Sequence, residues 1–190
     1  MLRVARKALG IPVETGPVLA LPPGALDGAR GQIVAGRLVA VVPSAAAPPA
    51  PPPAHTTYGG AALGAPSARP APPPPAAPQQ PFARVAVIDH DLYMPGQEFI
   101  FRLGDPKGHR GVMGLRRIRE AFYKRKADPA RQRARAAKVF LGAVGAARGL
   151  PACPDPGCPM WDAHTVLELD RVGDRYCSVC NNLIRGRMRW

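Results

Sequence analysis

Residues 43–81 limit what this chain can fold into more than any other stretch. Fourteen of its 25 prolines lie there, with no acidic residue and one basic one, Arg69. Such a segment cannot bury a core, and its prolines bias it towards an extended, solvated chain. A Pro/Ala tract of this kind acts as a semi-rigid spacer or as a ligand for a proline-recognising domain. Biased composition favours the spacer. The 190 residues then suffice for one modest domain interrupted by a linker. The expected parts are a helix-containing segment at 1–42, a disordered linker at 43–81, a strand and helix core at 82–152, and a cysteine module at 153–190.

Charge narrows the class of partner. The formal net charge is +13 and the pI near 10.6, which favours polyanions without identifying one. The excess is local. From Arg116 to Lys138 ten Lys and Arg stand against Glu120 and Asp128, whereas residues 153–190 carry five of each sign. That stretch reads either as a nucleic-acid stripe or as a solvated helix face. The second is the commoner use of a charge run. No apolar run approaches the ~18 residues a membrane-spanning helix needs. The N-terminus starts basic and turns apolar like a signal peptide, but Pro12, Glu14 and Pro17 interrupt it. It reads as mature protein, and the expected setting is cytoplasmic, with no membrane partner.

Local patterns place the elements. The stretch 24–42 reads as a helix with Asp27 as N-cap and Ile33, Leu38 and Val39 on its apolar face. RVAVIDHDL at 84–92 is short and β-branched and reads as a strand, and EFIFRL at 98–103 and GVMGL at 111–115 read as two more. GDPKG between them is a turn. From Asp128 to Arg148 the chain reads as a helix, with Pro129 in its first turn and Gly149 at its end.

The strongest chemical signal is Cys153-x4-Cys158 followed by Cys177-x2-Cys180. Two close pairs joined by a spacer that folds back suit tetrahedral zinc, each pair offering two thiolates. Pro154, Pro156 and Gly157 make the first pair a tight turn. Four cysteine ligands leave no open position for water, so a zinc ion held this way is structural. Two disulfides or free thiols are the competing readings, and a reducing compartment argues against the disulfides.

Residues 85–123, with DHDLY at 89–93 and FIF at 99–101, resemble the archaemetzincin-type zinc metalloproteases. The family pattern is HExxHxxGxxHCx4CxM, a spacer, then CxxC. This chain has Cys153, Cys158, Met160, Cys177 and Cys180 in that order, with a spacer one residue shorter than the usual pattern. The resemblance covers residues 85–181, and 25–40 more weakly. It implies an α+β, metzincin-like small domain with a short mixed sheet, two main helices and a C-terminal four-cysteine zinc knuckle. It also implies one structural zinc ion on Cys153, Cys158, Cys177 and Cys180.

Set on that pattern, the first ligand His falls on Gly142, the general-base Glu on Ala143, the second His on Ala146 and the third on Ala152. Gly149 keeps the glycine of the turn. Histidines four apart share one helix face and bind zinc, and the Glu takes a proton from metal-bound water. Glycine and alanine can do neither. His55, His90, His109 and His164 form no pair at ligand spacing, so no substitute site is expected.

The expectation is therefore an inactive, metalloprotease-like pseudoenzyme. It would keep one structural zinc and serve as a binding or scaffold domain for an unknown protein or peptide. A basic, zinc-stabilised nucleic-acid binder is the alternative, with weak, non-specific affinity because aromatics are few in the basic run. An active zinc protease is the reading these residues oppose. Two further expectations attach to the helix. The small residues leave the former cleft empty, and histidines restored at 142, 146 and 152 find room for a second zinc.

Overall fold

The computed structural model describes residues 2–10, 12–45 and 82–187. The expected linker falls outside them from residue 46 to residue 81. Helix α1 (Leu2–Leu9) leads into an extended stretch, which Arg6 ties back by donating to the Val13 carbonyl.

Strand β1 (Leu26–Asp27) and strand β2 (Gln32–Val34) form an antiparallel pair, and helix α2 (Ala35–Val41) follows at once. The single helix expected at 24–42 is therefore confined to seven residues, Ala35–Val41. Asp27 is not a helix cap. Its Oδ1 accepts from the backbone N–H groups of Ala29 and Arg30, both at 3.1 Å, and closes a turn. Gly31, at φ +63°, brings the chain back in a conformation that suits glycine. The local carboxylate–backbone bonds outcompete helix formation there. Ile33, assigned by periodicity to the helix, is a fully buried strand residue.

After the linker come β3 (Arg84–Ile88), β4 (Leu92–Met94), β5 (Gln97–Ile100), β6 (Arg102–Asp105) and β7 (Arg110–Gly114). They form two sheets, with orders β1-β2-β4-β5 and β3-β7-β6. β2 runs parallel to β4, and β3 parallel to β7; the other pairs are antiparallel. The stretch expected as one strand, 98–103, breaks at Phe101, because β5 pairs with β4 while β6 pairs with β7.

Helix α3 (Pro129–Ala147) lies across the β3-β7-β6 sheet. Pro129 opens it, as the sequence reading expected, and Asp128 caps it, accepting from the Arg131 N–H at 2.9 Å. Gly149, at φ +73°, turns the chain off the helix end. Two glycines let the helix approach the sheet. A Cβ on Gly104 would lie 2.5 Å from the Ala147 nitrogen, and one on Gly111 3.1 Å from the Ala143 carbonyl.

The core has two parts. Ala25, Ile33, Ala35, Leu38, Val39, Leu92 and Val112 fill the side facing α2. Phe101, Met113, Ile118, Val139, Phe140, Leu141 and Val144 fill the side facing α3. The tail adds α4 (Val166–Arg171) and α5 (Ser178–Gly186). Thr165 and Glu168 form a reciprocal capping box on α4. Met160, Leu169, Val172, Tyr176 and Ile184 join the α3 core, so the tail is packed onto the domain. The arrangement is the small α+β domain with mixed sheets that the sequence implied.

Candidate metal centre and the helix beside it

The four cysteines come from two elements. Cys153 and Cys158 flank a turn closed by Asp155, whose Oδ1 accepts from Gly157 N at 2.8 Å while its carbonyl accepts from Cys158 N at 3.0 Å. Cys177 is the N-cap of α5, and Cys180 lies in its first turn. The Cys177 sulfur accepts from the Cys180 N–H at 3.5 Å, which lowers the pKa of the Cys177 thiol. Met160 N–H points likewise to the Cys158 sulfur at 3.5 Å. Burial pushes the Cys158 and Cys180 thiols up. A metal that binds thiolate offsets that cost.

All four sulfurs lie within 4.8 Å of one another. Cys153 Sγ and Cys177 Sγ are 3.7 Å apart. A disulfide would need about 2.05 Å. Tetrahedral zinc with Zn–S bonds of about 2.3 Å places its sulfurs about 3.8 Å apart. The site therefore fits one zinc ion held by Cys153, Cys158, Cys177 and Cys180, with every position taken by thiolate and none left for a reacting water. Such an ion ties the turn after Cys153 to the start of α5.

Beside this centre lies the stretch of α3 that the resemblance singles out. Gly142 and Ala143 are buried, Ala146 is partly buried, and Ala152 is exposed beyond the helix end. The cleft expected to be empty is filled. A Cβ on Gly142 would overlap Arg102 Nε and lie 2.6 Å from the Pro159 carbonyl oxygen. A Cβ on Gly145 would overlap the Met160 sulfur and lie 3.4 Å from the Tyr176 hydroxyl. Ala146 packs against Gly104, with its Cβ 2.5 Å from where a Cβ on that glycine would stand. Tyr176 donates to the Leu141 carbonyl at 2.6 Å, and burial pushes its phenol pKa up. With the Arg102 side chain and the Pro159 carbonyl where they stand, a side chain at 142 meets both, so the space expected to be open for a histidine is occupied. Gly142 and Gly145 are both buried. They are where the turn after Cys158 touches α3.

Sequence reasoning missed Arg102, which it saw only as part of a strand. A lone arginine among FIF and LG, on a strand covered by a helix, was the available signal. It also missed how the basic run is spent. Arg135 is 1% exposed. It binds Asp170 through Nε and Nη2, both at 2.7 Å, Glu120 at 2.7 Å, and the Ile118 carbonyl at 3.0 Å. Arg117 pairs with the buried Asp91 at 2.7 Å and lies over the Phe99 ring at 4.0 Å. Arg119 pairs with Asp89 at 2.8 Å, and Lys138 donates to the carbonyls of Leu169 and Asp170. Arg116, Lys124, Lys126 and Arg133 stay exposed. Arg117, Arg135 and Lys138 are thus spent on internal partners, while Arg125 and Arg131 pair with Glu120 from exposed positions.

The remaining histidines are dispersed. His90 and His109 are partly buried, His164 is exposed in the spacer, and His55 lies outside the described residues. Among the described residues, the four cysteines are the one group of three or more His, Cys, Asp or Glu placed to share a metal. Among them too, no helix is long and apolar enough to cross a membrane.

Comparison with known proteins agrees with this architecture. The chain is 32% identical over 98 residues to the archaemetzincin of Pyrococcus horikoshii, a match covering 52% of each chain. It is 28% identical over 105 residues to that of Methanopyrus kandleri, covering 55% of this chain and 57% of the relative. The match thus spans about half the length of these curated relatives. In fold it is similar to a zinc-dependent peptidase from Methanocorpusculum labreanum, with a TM-score of 0.71 at 20% identity, covering 96% of this chain and 90% of that one. The crystal structure of the Methanopyrus kandleri archaemetzincin gives a TM-score of 0.63 at 22% identity, covering 90% and 73%. The family model for peptidase family M54 matches residues 81–186, more than half of the chain, and the protein belongs to that family.

Proposed function

We propose that this chain is a catalytically inactive member of the peptidase family, stabilised by one structural zinc and used as a binding or scaffold domain. The observation that carries the reading is the stretch Gly142–Ala152. The positions that the family pattern gives to three histidines and a glutamate hold Gly142, Ala143, Ala146 and Ala152, and the space beside Gly142 is taken by Arg102. Hydrolysis of an amide needs a polarised carbonyl and an activated water. Neither glycine nor alanine can hold the metal or take the proton, and the four-cysteine site offers no open position.

The partner in this reading is a protein or peptide, in the cytoplasm. Nucleic-acid binding is confined in this reading to weak, non-specific contact, because Arg117, Arg135 and Lys138 are spent on internal partners and aromatics are few in the basic run. The test is metal content by mass spectrometry beside a peptidase assay on an unstructured protein substrate. The reading expects one zinc per chain and no turnover. Two ions per chain, or cleavage that a chelator abolishes, would refute it.

A further inference from the structure

Arg102 leaves β6 on the face that α3 covers. Its Nε overlaps the place of a Cβ on Gly142, and its Cδ lies 2.8 Å from that place. The guanidinium therefore runs along the course a side chain at 142 would take. Its Nη2 makes a long 3.4 Å contact with the Trp161 carbonyl. Its Nε is buried without a hydrogen-bond partner among the described residues. No ion pair at bonding distance holds Arg102 among the described residues, although Asp162 and Cys158 favour its charge from farther off. Packing explains the placement of Arg102: glycine on the helix and arginine on the facing strand fill one volume together. The neighbouring Gly145–Met160 and Gly104–Ala146 contacts close the rest of that volume.

We propose that Arg102 is a plug in the pocket where a metal held from 142, 146 and 152 would sit, and that it excludes metal there by volume and by charge. This rests on reading those three positions as former ligand sites. It adds that loss of the ligands is locked in by a residue on another element, so restoring histidines does not restore the site. The guanidinium stays charged at any pH the fold survives, although burial lowers its pKa. A second cation within a few ångströms of it is repelled in a poorly screened interior.

Two experiments on the full zinc-loaded chain test this. The first is a double-mutant cycle of Gly142→Ala and Arg102→Ala, read by urea denaturation. Gly142→Ala should raise the unfolding constant at least tenfold more with Arg102 present than with Arg102→Ala, because the overlaps with its Nε and Cδ are then gone and the close approach to the Pro159 carbonyl stays. Effects that multiply to within twofold would overturn the pairing. The second compares Gly142→His, Ala146→His and Ala152→His together, with and without Arg102→Ala, for zinc per chain. One ion with Arg102 and two without it is the expected result. Two ions with Arg102 retained would overturn exclusion. One ion in both chains would also overturn it, placing the barrier in the Pro159 backbone. Peptide hydrolysis by the unmodified chain would sink the inactive reading instead, and leaves the cycle unaffected.

Discussion

Replacing Arg135 by alanine should destabilise the domain more than any other change in the basic run. Arg135 is 1% exposed and joins three elements: α3, the turn at Glu120 and the α4 residue Asp170. Its removal leaves the Glu120 carboxylate, 4% exposed, with Arg125 at 3.5 Å and Arg131 at 3.4 Å as weaker partners. Asp170 is one-third exposed, so water takes over part of its solvation. Breaking a buried ion pair from one side costs about 3–5 kcal/mol. The remaining partners put the expected loss at the low end, about 3 kcal/mol. For a chain of this size that is roughly 6–12 °C in melting temperature. The assay is urea denaturation followed by circular dichroism at fixed zinc. Arg133→Ala is the control: its side chain is exposed, and the expected change is within about 0.5 kcal/mol. A loss under 1 kcal/mol for Arg135→Ala would refute the claim that this arginine is an internal hub. It would return it to the solvated face that the sequence suggested.

Cys177→Ser should release the zinc and loosen residues 150–187. Structural zinc contributes about 10 kcal/mol or more of apparent binding energy, and the tail's apolar contacts with α3 recover only part of that. Full zinc content and an unchanged melt would show the cysteines misassigned. Gly104→Ala should cost about 1–3 kcal/mol by forcing α3 off the sheet, read as a lowered urea midpoint; a neutral result would mean the helix packs farther away. Acid should weaken the Arg135–Asp170 pair. The pKa of Asp170 is lowered by its bonds from Arg135, so its contribution is present above the ordinary value of 3.8 and is lost as pH falls below it. In a pH series of urea midpoints, Asp170→Asn should flatten the fall below about pH 4; an unaltered fall would assign it to other carboxylates. Nucleic-acid affinity in a gel shift should be weak and drop steeply with salt, by about 0.9 counterion per phosphate neutralised. Sequence-selective binding that persists at physiological salt would contradict the proposed role.

Several features of this protein are properties of local chemistry and could be read directly. Asp128, Pro129 and Gly149 mark both ends of α3, because caps and turns depend on residues next to each other in the chain. Cys153, Cys158, Cys177 and Cys180 announce a tetrathiolate site by spacing alone, because zinc geometry accepts few spacings. What spacing cannot carry is contact between distant residues. The burial of Ile33 and the pairing of β2 with β4 turned the first part of an expected helix into two strands, since that pairing outweighs a periodicity that either structure satisfies. Arg117 and Arg135 looked like outer-surface residues until the fold placed Asp91, Glu120 and Asp170 against them. The small residues of α3 looked like vacancies until Arg102 and Met160 were seen to fill the space beside them. In each case the deciding partner lies outside the local segment or on another element, and burial, which sets the strength of both packing and charge, exists only once the chain has folded.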